Sequence, residues 1–289
     1  MLVLAVAALV ALAVGATVGA VALRWPHADP AAPSGAGVAA EVAEHPGAAD
    51  GRGRDLDPEG TTILGLSAAA VAVVLGGVAV GVLFLLVRSR AGFSVIDLGP
   101  ARWADRQATP TSTAVLRVLT YFGSTVVLLP LAVVVGLVEA RRLPNRALPA
   151  FLLVVQAGQL ALANLIKVSV DRARPDIHPL AEFSAASFPS GHTASAAATF
   201  AALALVVGRR RTASTRVVLA AAAAGLTALV ACTRVLLGVH WTTDVLAGAS
   251  LGWGWAALCS IAFGGRLLRF GAPVAQGMAE AEASTAPPP

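Results

Sequence analysis

Three short clusters in this 289-residue chain carry the residue types that handle a phosphate-like oxyanion. The first is Lys167, followed seven positions later by Arg174-Pro175. The second is Pro189-Ser190-Gly191-His192, a turn-forming stretch that ends in histidine at the mouth of an alanine-rich apolar run. The third is Arg234, then His240, then Asp244. An arginine fork matches phosphate oxygens bidentately, and a lysine adds a point charge. Ser190 and the amides around Gly191 can donate to the remaining oxygens, as a helix N-terminus does to an anion. His240 and Asp244 are four positions apart, on one face if the segment is helical. At that spacing a carboxylate can accept the imidazole N–H, fix the tautomer and free the other nitrogen as a nucleophile. His192 could then protonate a leaving alkoxide. The chemistry so composed is in-line displacement at phosphorus through a phosphohistidine, which water activated by His192 then hydrolyses. The cations and hydrogen-bond donors would stabilise the equatorial oxygens. This chemistry requires no cofactor and no metal, and the sequence offers no carboxylate cluster to bind one.

Such a site needs a scaffold, and the composition says which kind. The chain is 57% hydrophobic with a mean hydropathy of +0.76. Apolar runs of roughly 20 residues recur, the length that crosses the hydrocarbon core. They do not alternate as the strands of a membrane barrel would, so the expected class is an all-α polytopic membrane bundle. The net charge of +5 does not indicate nucleic acid, because no basic stripe with interleaved aromatics is present. Arginines instead cluster between apolar runs, as membrane topology requires. Cys232 and Cys259 lie within or beside apolar runs and read as inert thiols. Among 21 Lys plus Arg the single lysine is Lys167, at the end of an apolar run just before Arg174-Pro175. That placement suggests a need for a compact ammonium.

Residues 1–23 are uncharged and long enough to span. A cleaved signal peptide is the competing reading, but the basic leading region is absent, so a transmembrane helix or signal anchor is expected. Residues 24–61 form a Pro/Gly-rich linker with an acidic excess. Further spans are expected near 62–87, 116–138 (interrupted by Pro130), 147–169, 193–207, 217–236 and 245–263. An interfacial helix with Trp103, Asp105 and Arg106 falls between the second and third. Residues 266–289 form a Pro/Ala tail expected to be disordered. Basic residues follow the third, fifth and seventh spans, which places those ends in the cytoplasm. Lys167, His192, Arg234 and Asp244 then all face the extracytoplasmic side, as would Arg88, Arg90, Arg102, Arg106 and the N-terminus.

Lys167-(six residues)-Arg174-Pro175, Pro189-Ser190-Gly191-His192 and Arg234-(five residues)-His240-(three residues)-Asp244 together resemble the three signatures of the type 2 phosphatidic acid phosphatase (PAP2) family. Its wider superfamily includes lipid phosphatases and vanadium haloperoxidases. The resemblance covers roughly residues 62–265, a six-span core to which residues 1–23 add one helix. It implies His240 as nucleophile, His192 as acid, Asp244 as the partner orienting His240, and Lys167, Arg174, Ser190, Gly191 and Arg234 around phosphate. The residue before the arginine of the third signature, usually serine in that family, is Thr233, which keeps the hydroxyl.

Each cluster taken singly also has a bland reading: Arg234 could snorkel, and His240 with Asp244 could merely brace a helix. Their joint order and common sidedness favour chemistry. His178 and Glu182 read as solvated loop residues. Arg172 either assists phosphate or pairs with Asp171 or Asp176. Trp241, Trp253 and Trp255 read as interfacial anchors or packing residues. The expected function is a membrane phosphatase acting on a lipid phosphate or diphosphate, of the phosphatidate, phosphatidylglycerol phosphate or undecaprenyl diphosphate type. Its alternatives are a lipid phosphotransferase using the same intermediate and a non-catalytic lipid-phosphate binding or transport protein. Haloperoxidase chemistry is disfavoured because those relatives are soluble.

Overall fold

A computed structural model describes residues 1–23, 58–88, 94–142, 147–176, 186–209 and 211–267. The acidic linker, His178, Glu182 and the C-terminal tail lie outside these residues. Among the described residues the chain forms nine α-helices and no strand. They are α1 (Leu2–Leu23), α2 (Pro58–Arg88), α3 (Ser94–Gln107), α4 (Pro110–Leu119), α5 (Thr125–Arg142), α6 (Ala147–Val170), α7 (Gly191–Gly208), α8 (Ala213–Leu236) and α9 (Thr242–Leu267). A 3-10 turn, Thr120–Gly123, joins α4 to α5. Six helices are long and apolar enough to span, and α4 with α5 forms a further, broken span bent by 45°. The protein is an all-α, multi-pass membrane bundle.

The broken span differs from the sequence expectation in two respects. Its start is Pro110 rather than residue 116, because Thr109 and Ser112 form a reciprocal capping box with proline in the first turn. Its break is the 3-10 turn and not Pro130, which lies inside α5. A Cβ at Gly123 would stand 2.8 Å from the His192 carbonyl oxygen, so the glycine lets the turn close on the start of α7. Helix α2 likewise begins at Pro58, four residues ahead of the expected start. The interfacial helix is present as α3 and carries Trp103, Asp105 and Arg106.

Helix α7 is the central post of the bundle. Most of its apolar window is buried inside the protein (61%), against 6% for α2. Its small side chains allow close approach, which drives helix association where lipid supplies no hydrophobic contrast. A Cβ on Gly248 of α9 would meet the Ser190 carbonyl at 2.5 Å, and one on Gly252 would overlap the Ala194 carbonyl. The same device attaches the outer helices. A Cβ at Gly15 of α1 would lie 2.9 Å from the Ala221 carbonyl of α8, and one at Gly76 of α2 2.8 Å from the Ser250 carbonyl of α9. Polar pairs join α6 to α7 inside the bundle: Gln159 Nε2 donates to Ser195 Oγ at 2.5 Å and Thr199 Oγ1 to Gln156 Oε1 at 2.7 Å.

These contacts fix which ends share a face. Val3 and Ala7 cluster with Leu236, Leu237 and Val239, while Gly19 lies beside Val217, so α1 runs antiparallel to α8. The start of α1, the ends of α6 and α8, the starts of α7 and α9, and α3 therefore lie at one end. At the other end Arg209 forms an ion pair with Glu139 (3.9 Å), linking the ends of α7 and α5 beside Arg141 and Arg142.

Candidate active site

The third cluster is a helix end, a tight turn and a helix start. Helix α8 ends at Leu236, and Gly238 adopts φ 69°, a left-handed conformation that suits glycine. The Arg234 carbonyl then accepts from the backbone N–H groups of both Val239 and His240, each at 3.2 Å. This turn explains why five residues separate Arg234 from His240. Asp244 sits in the first turn of α9 and accepts the Trp241 backbone N–H at 2.9 Å, satisfying a helix-start donor.

Asp244 is fully buried, and its carboxylate accepts hydrogen bonds from three groups, which leaves room for a fourth. Oδ2 also accepts a short hydrogen bond from Ser187 Oγ, and Oδ1 accepts from Arg172 Nη1 at 2.6 Å. The His240 Nδ1 stands 3.5 Å from Asp244 Oδ2, an ionic distance longer than a hydrogen bond. Nδ1 has no other partner among the described residues. Catalytic hydrogen bonds are often this long before substrate binds. On the far side of the ring, Nε2 lies 3.3 Å from Arg174 Nη1. Burial pushes the His240 imidazole down to about 4, against the upward pull of Asp244. The ring is therefore neutral near pH 7, with one nitrogen turned to the carboxylate and the other toward the cations.

The first and second clusters complete the surroundings. Arg174 donates to the Val239 carbonyl at 2.5 Å and to the Ala186 carbonyl at 3.4 Å, and burial lowers its guanidinium from the ordinary value. Lys167 Nζ reaches to 4.0 Å from where a Gly191 Cβ would stand. Arg234 is buried; Nη1 donates to Thr120 Oγ1 at 3.0 Å, and Nε has no partner among the described residues. Ser190 donates its N–H to the Asp244 carbonyl at 3.0 Å, and its Oγ accepts from Thr193 Oγ1 at 3.1 Å, leaving its own O–H to donate. His192 sits in the first turn of α7, half-buried, near His240 and within the field of Arg234, Lys167 and Arg174. All eight residues singled out from the sequence thus meet at one end of the bundle.

Arg172 pairs with neither Asp171 nor Asp176. It bridges two carboxylates, with Nη2 2.7 Å from Asp97 Oδ2 and Nη1 on Asp244. Asp97 in turn accepts from the Thr243 N–H and Oγ1, each at 2.9 Å. Sequence reasoning missed Asp97, Thr120, Ser187 and Thr243. Ser187 carried a faint signal, since it abuts Phe188-Pro189; Asp97 and Thr120 carried none, lying far from every cluster. Trp241 packs over Arg172 (5.5 Å to the ring centre) and donates to the Ala173 carbonyl at 3.0 Å. Trp255 donates to the Val155 carbonyl at 3.0 Å, beside Gly158, and is a packing residue. Cys232 and Cys259 are free thiols inside helices.

Residues 148–267 match the family model described as the PAP2 superfamily. The chain is 36% identical over 146 residues to phosphatidylglycerophosphatase B of Bacillus subtilis, covering 50% of this chain and 71% of that protein. The chain belongs to the PAP2 superfamily. It is also 39% identical over 129 residues to lipid A 1-phosphatase of Rhizobium johnstonii, covering 39% of this chain and 46% of that one. Among solved structures, it resembles a transmembrane PAP2 type phosphatidylglycerolphosphate phosphatase from Bacillus subtilis. That superposition has a TM-score of 0.60 and 28% identity, and covers 66% of this chain and 96% of that structure. The PAP2 match contains all three clusters; Asp97 and Thr120 lie outside it.

Proposed function

We propose that this protein hydrolyses the terminal phosphate of a lipid phosphate through a phosphohistidine on His240. As a PAP2 member it is a phosphoric ester hydrolase. The observation that carries the mechanism is the placement of His240, with Nδ1 facing Asp244 and Nε2 facing Arg174.

In the first step the neutral Nε2 attacks phosphorus, the bond from phosphorus to the lipid oxygen breaks, and His192 gives its proton to that oxygen. Asp244 holds the Nδ1 proton and balances the charge gained by the ring. In the second step His192 takes a proton from water, the oxygen bonds to phosphorus, and the N–P bond breaks to release inorganic phosphate. Lys167, Arg174 and Arg234, with the Ser190 hydroxyl and the Gly191 amide, hold the equatorial oxygens.

The relatives named for phosphatidylglycerophosphate and lipid A 1-phosphate support a substrate whose apolar tail stays in the bilayer. The candidate class comprises phosphatidate, phosphatidylglycerol phosphate and undecaprenyl diphosphate. The active site faces the extracytoplasmic side. Arg141, Arg142, Arg209 and Arg211 at the opposite end support this, since short basic turns stay in the cytoplasm.

Phosphate release by the purified protein, across a panel of these lipids, tests the reading. His240→Ala should release no phosphate from any of them while eluting as the wild type does. Release at the wild-type rate would remove His240 as nucleophile, and phosphate appearing on an added lipid alcohol would make the protein a transferase.

A further inference from the structure

Asp97 lies on α3, outside all three clusters, yet it is buried (3% exposed), and among the described residues its polar contacts all lead to the candidate active site. We propose that Asp97 is a positioning residue that acts through Arg172 on the His240–Asp244 pair. The inference rests on the reading of His240 as nucleophile.

Arg172 is a rigid fork held between two carboxylates, with Nη2 on Asp97 at 2.7 Å and Nη1 on Asp244 at 2.6 Å. Nη1 also donates to Thr243 Oγ1 at 2.7 Å, and that hydroxyl donates to Asp97. Trp241 covers the guanidinium plane. Asp97 also accepts the Thr243 backbone N–H, so it fixes the residue adjoining Asp244 in the first turn of α9. A carboxylate on the interfacial helix therefore sets both the direction of Arg172 and the backbone that carries Asp244.

Charge gives the arrangement a consequence for rate. The groups around His240 are Lys167 on α6, Arg172 and Arg174 after it, His192 on α7, Arg234 on α8 and Asp244 on α9. Asp97 and Asp244 are the carboxylates that oppose these cations. With the Asp97 carboxylate in place, the charge of Arg172 is shared between two carboxylates, and Asp244 keeps a net negative field for the ring as Nε2 bonds to phosphorus. With asparagine in its place, Arg172 belongs to Asp244 alone; it cancels that field and is free to draw the carboxylate from Nδ1. Asp97 touches no phosphate ligand, so its loss should slow the chemical step and leave substrate binding intact.

The test measures kcat and KM on short-chain phosphatidate in detergent micelles, using the full chain. Asp97→Asn should lower kcat by about tenfold to a hundredfold, the range for a small misplacement of a reacting group, with KM within about twofold. Asp97→Glu should recover part of the loss. The double variant Asp97→Asn/Arg172→Gln should be no slower than Arg172→Gln alone, since both act along one path. A kcat for Asp97→Asn within about twofold of wild type, or losses that multiply in the double variant, would overturn the proposal. If Asp97→Asn does not fold, Arg172→Lys decides: a point charge cannot bridge both carboxylates, so a lowered kcat with unchanged KM supports the proposal and a wild-type kcat overturns it. His240→Asn, run alongside, separates the two readings. If it is active the nucleophile is wrong; if it is inactive while Asp97→Asn is wild type, only the positioning role fails.

Discussion

Arg234 Nη1 donates to Thr120 Oγ1 at 3.0 Å, across 114 positions of sequence and inside the membrane bundle. The contact ties the break in the α4–α5 span to the buried guanidinium that the proposed mechanism places on phosphate. It gives the 3-10 turn a function beyond bending the helix: it supplies the hydroxyl that aims a buried guanidinium.

Replacing Thr120 with valine removes that acceptor while keeping the shape. A lost hydrogen bond to a charged group costs about 1.5–3 kcal/mol. Part of that cost should appear as a several-fold rise in KM and part as lower thermal stability, both measurable on one preparation. An unchanged KM would show that Arg234 does not need Thr120 to meet substrate.

Asp244→Asn keeps the size of the side chain but can place an amide N–H where His240 Nδ1 needs an acceptor. In a comparable His–Asp pair the loss of the carboxylate costs about 10⁴-fold in kcat. A loss on that order is expected here in phosphate release. A loss under tenfold would indicate that Asp244 mainly caps α9.

His240 has a folded-state value of about 4, below the ordinary 6.5, because burial disfavours the imidazolium. His240 should stay neutral well below pH 6.5, so if it is the nucleophile proposed above, the acid limb of kcat/KM should fall near pH 4. The unfolded chain binds more protons than the folded one between pH 4 and 6.5. This group's contribution to stability is therefore complete above pH 6.5 and is lost as the pH falls toward 4. Denaturation midpoints across that window check the sign.

Gly248 lies where a Cβ would stand 2.5 Å from the Ser190 carbonyl. Gly248→Ala should push α9 from the start of α7 and cost about 1–3 kcal/mol, as overpacking does. The same shift moves Asp244 relative to Ser190, whose N–H donates to the Asp244 carbonyl. Activity should therefore fall more steeply than stability, which parallel melting and rate measurements would reveal.

Sidedness can be read with a membrane-impermeant thiol reagent, after Cys232 and Cys259 are replaced by alanine. A cysteine in place of exposed Arg102 on α3, at the active-site end, should be labelled from outside intact cells. One in place of exposed Arg141, at the opposite end, should not. The reverse pattern would turn the active site to the cytoplasm.

By itself the sequence determined the membrane class, the approximate spans and the eight residues that converge. Those features depend on local pattern. Uninterrupted apolar runs leave no alternative to helices in lipid. Within each cluster the partners are close in the chain, as in the Arg234-to-His240 turn and the cap that Asp244 makes on α9. Tertiary structure decided what holds the clusters. Asp97 meets Thr243 across 146 positions and Thr120 meets Arg234 across 114, and no spacing rule links residues so far apart. It also decided the partner of Arg172. Sequence proximity favoured Asp171 and Asp176, but Asp171 is exposed, whereas the buried carboxylates of Asp97 and Asp244 need a cation more. The break at Thr120–Gly123 was hidden for the same reason: Pro130 is visible in the sequence, while the His192 carbonyl that Gly123 must clear is supplied by a distant helix.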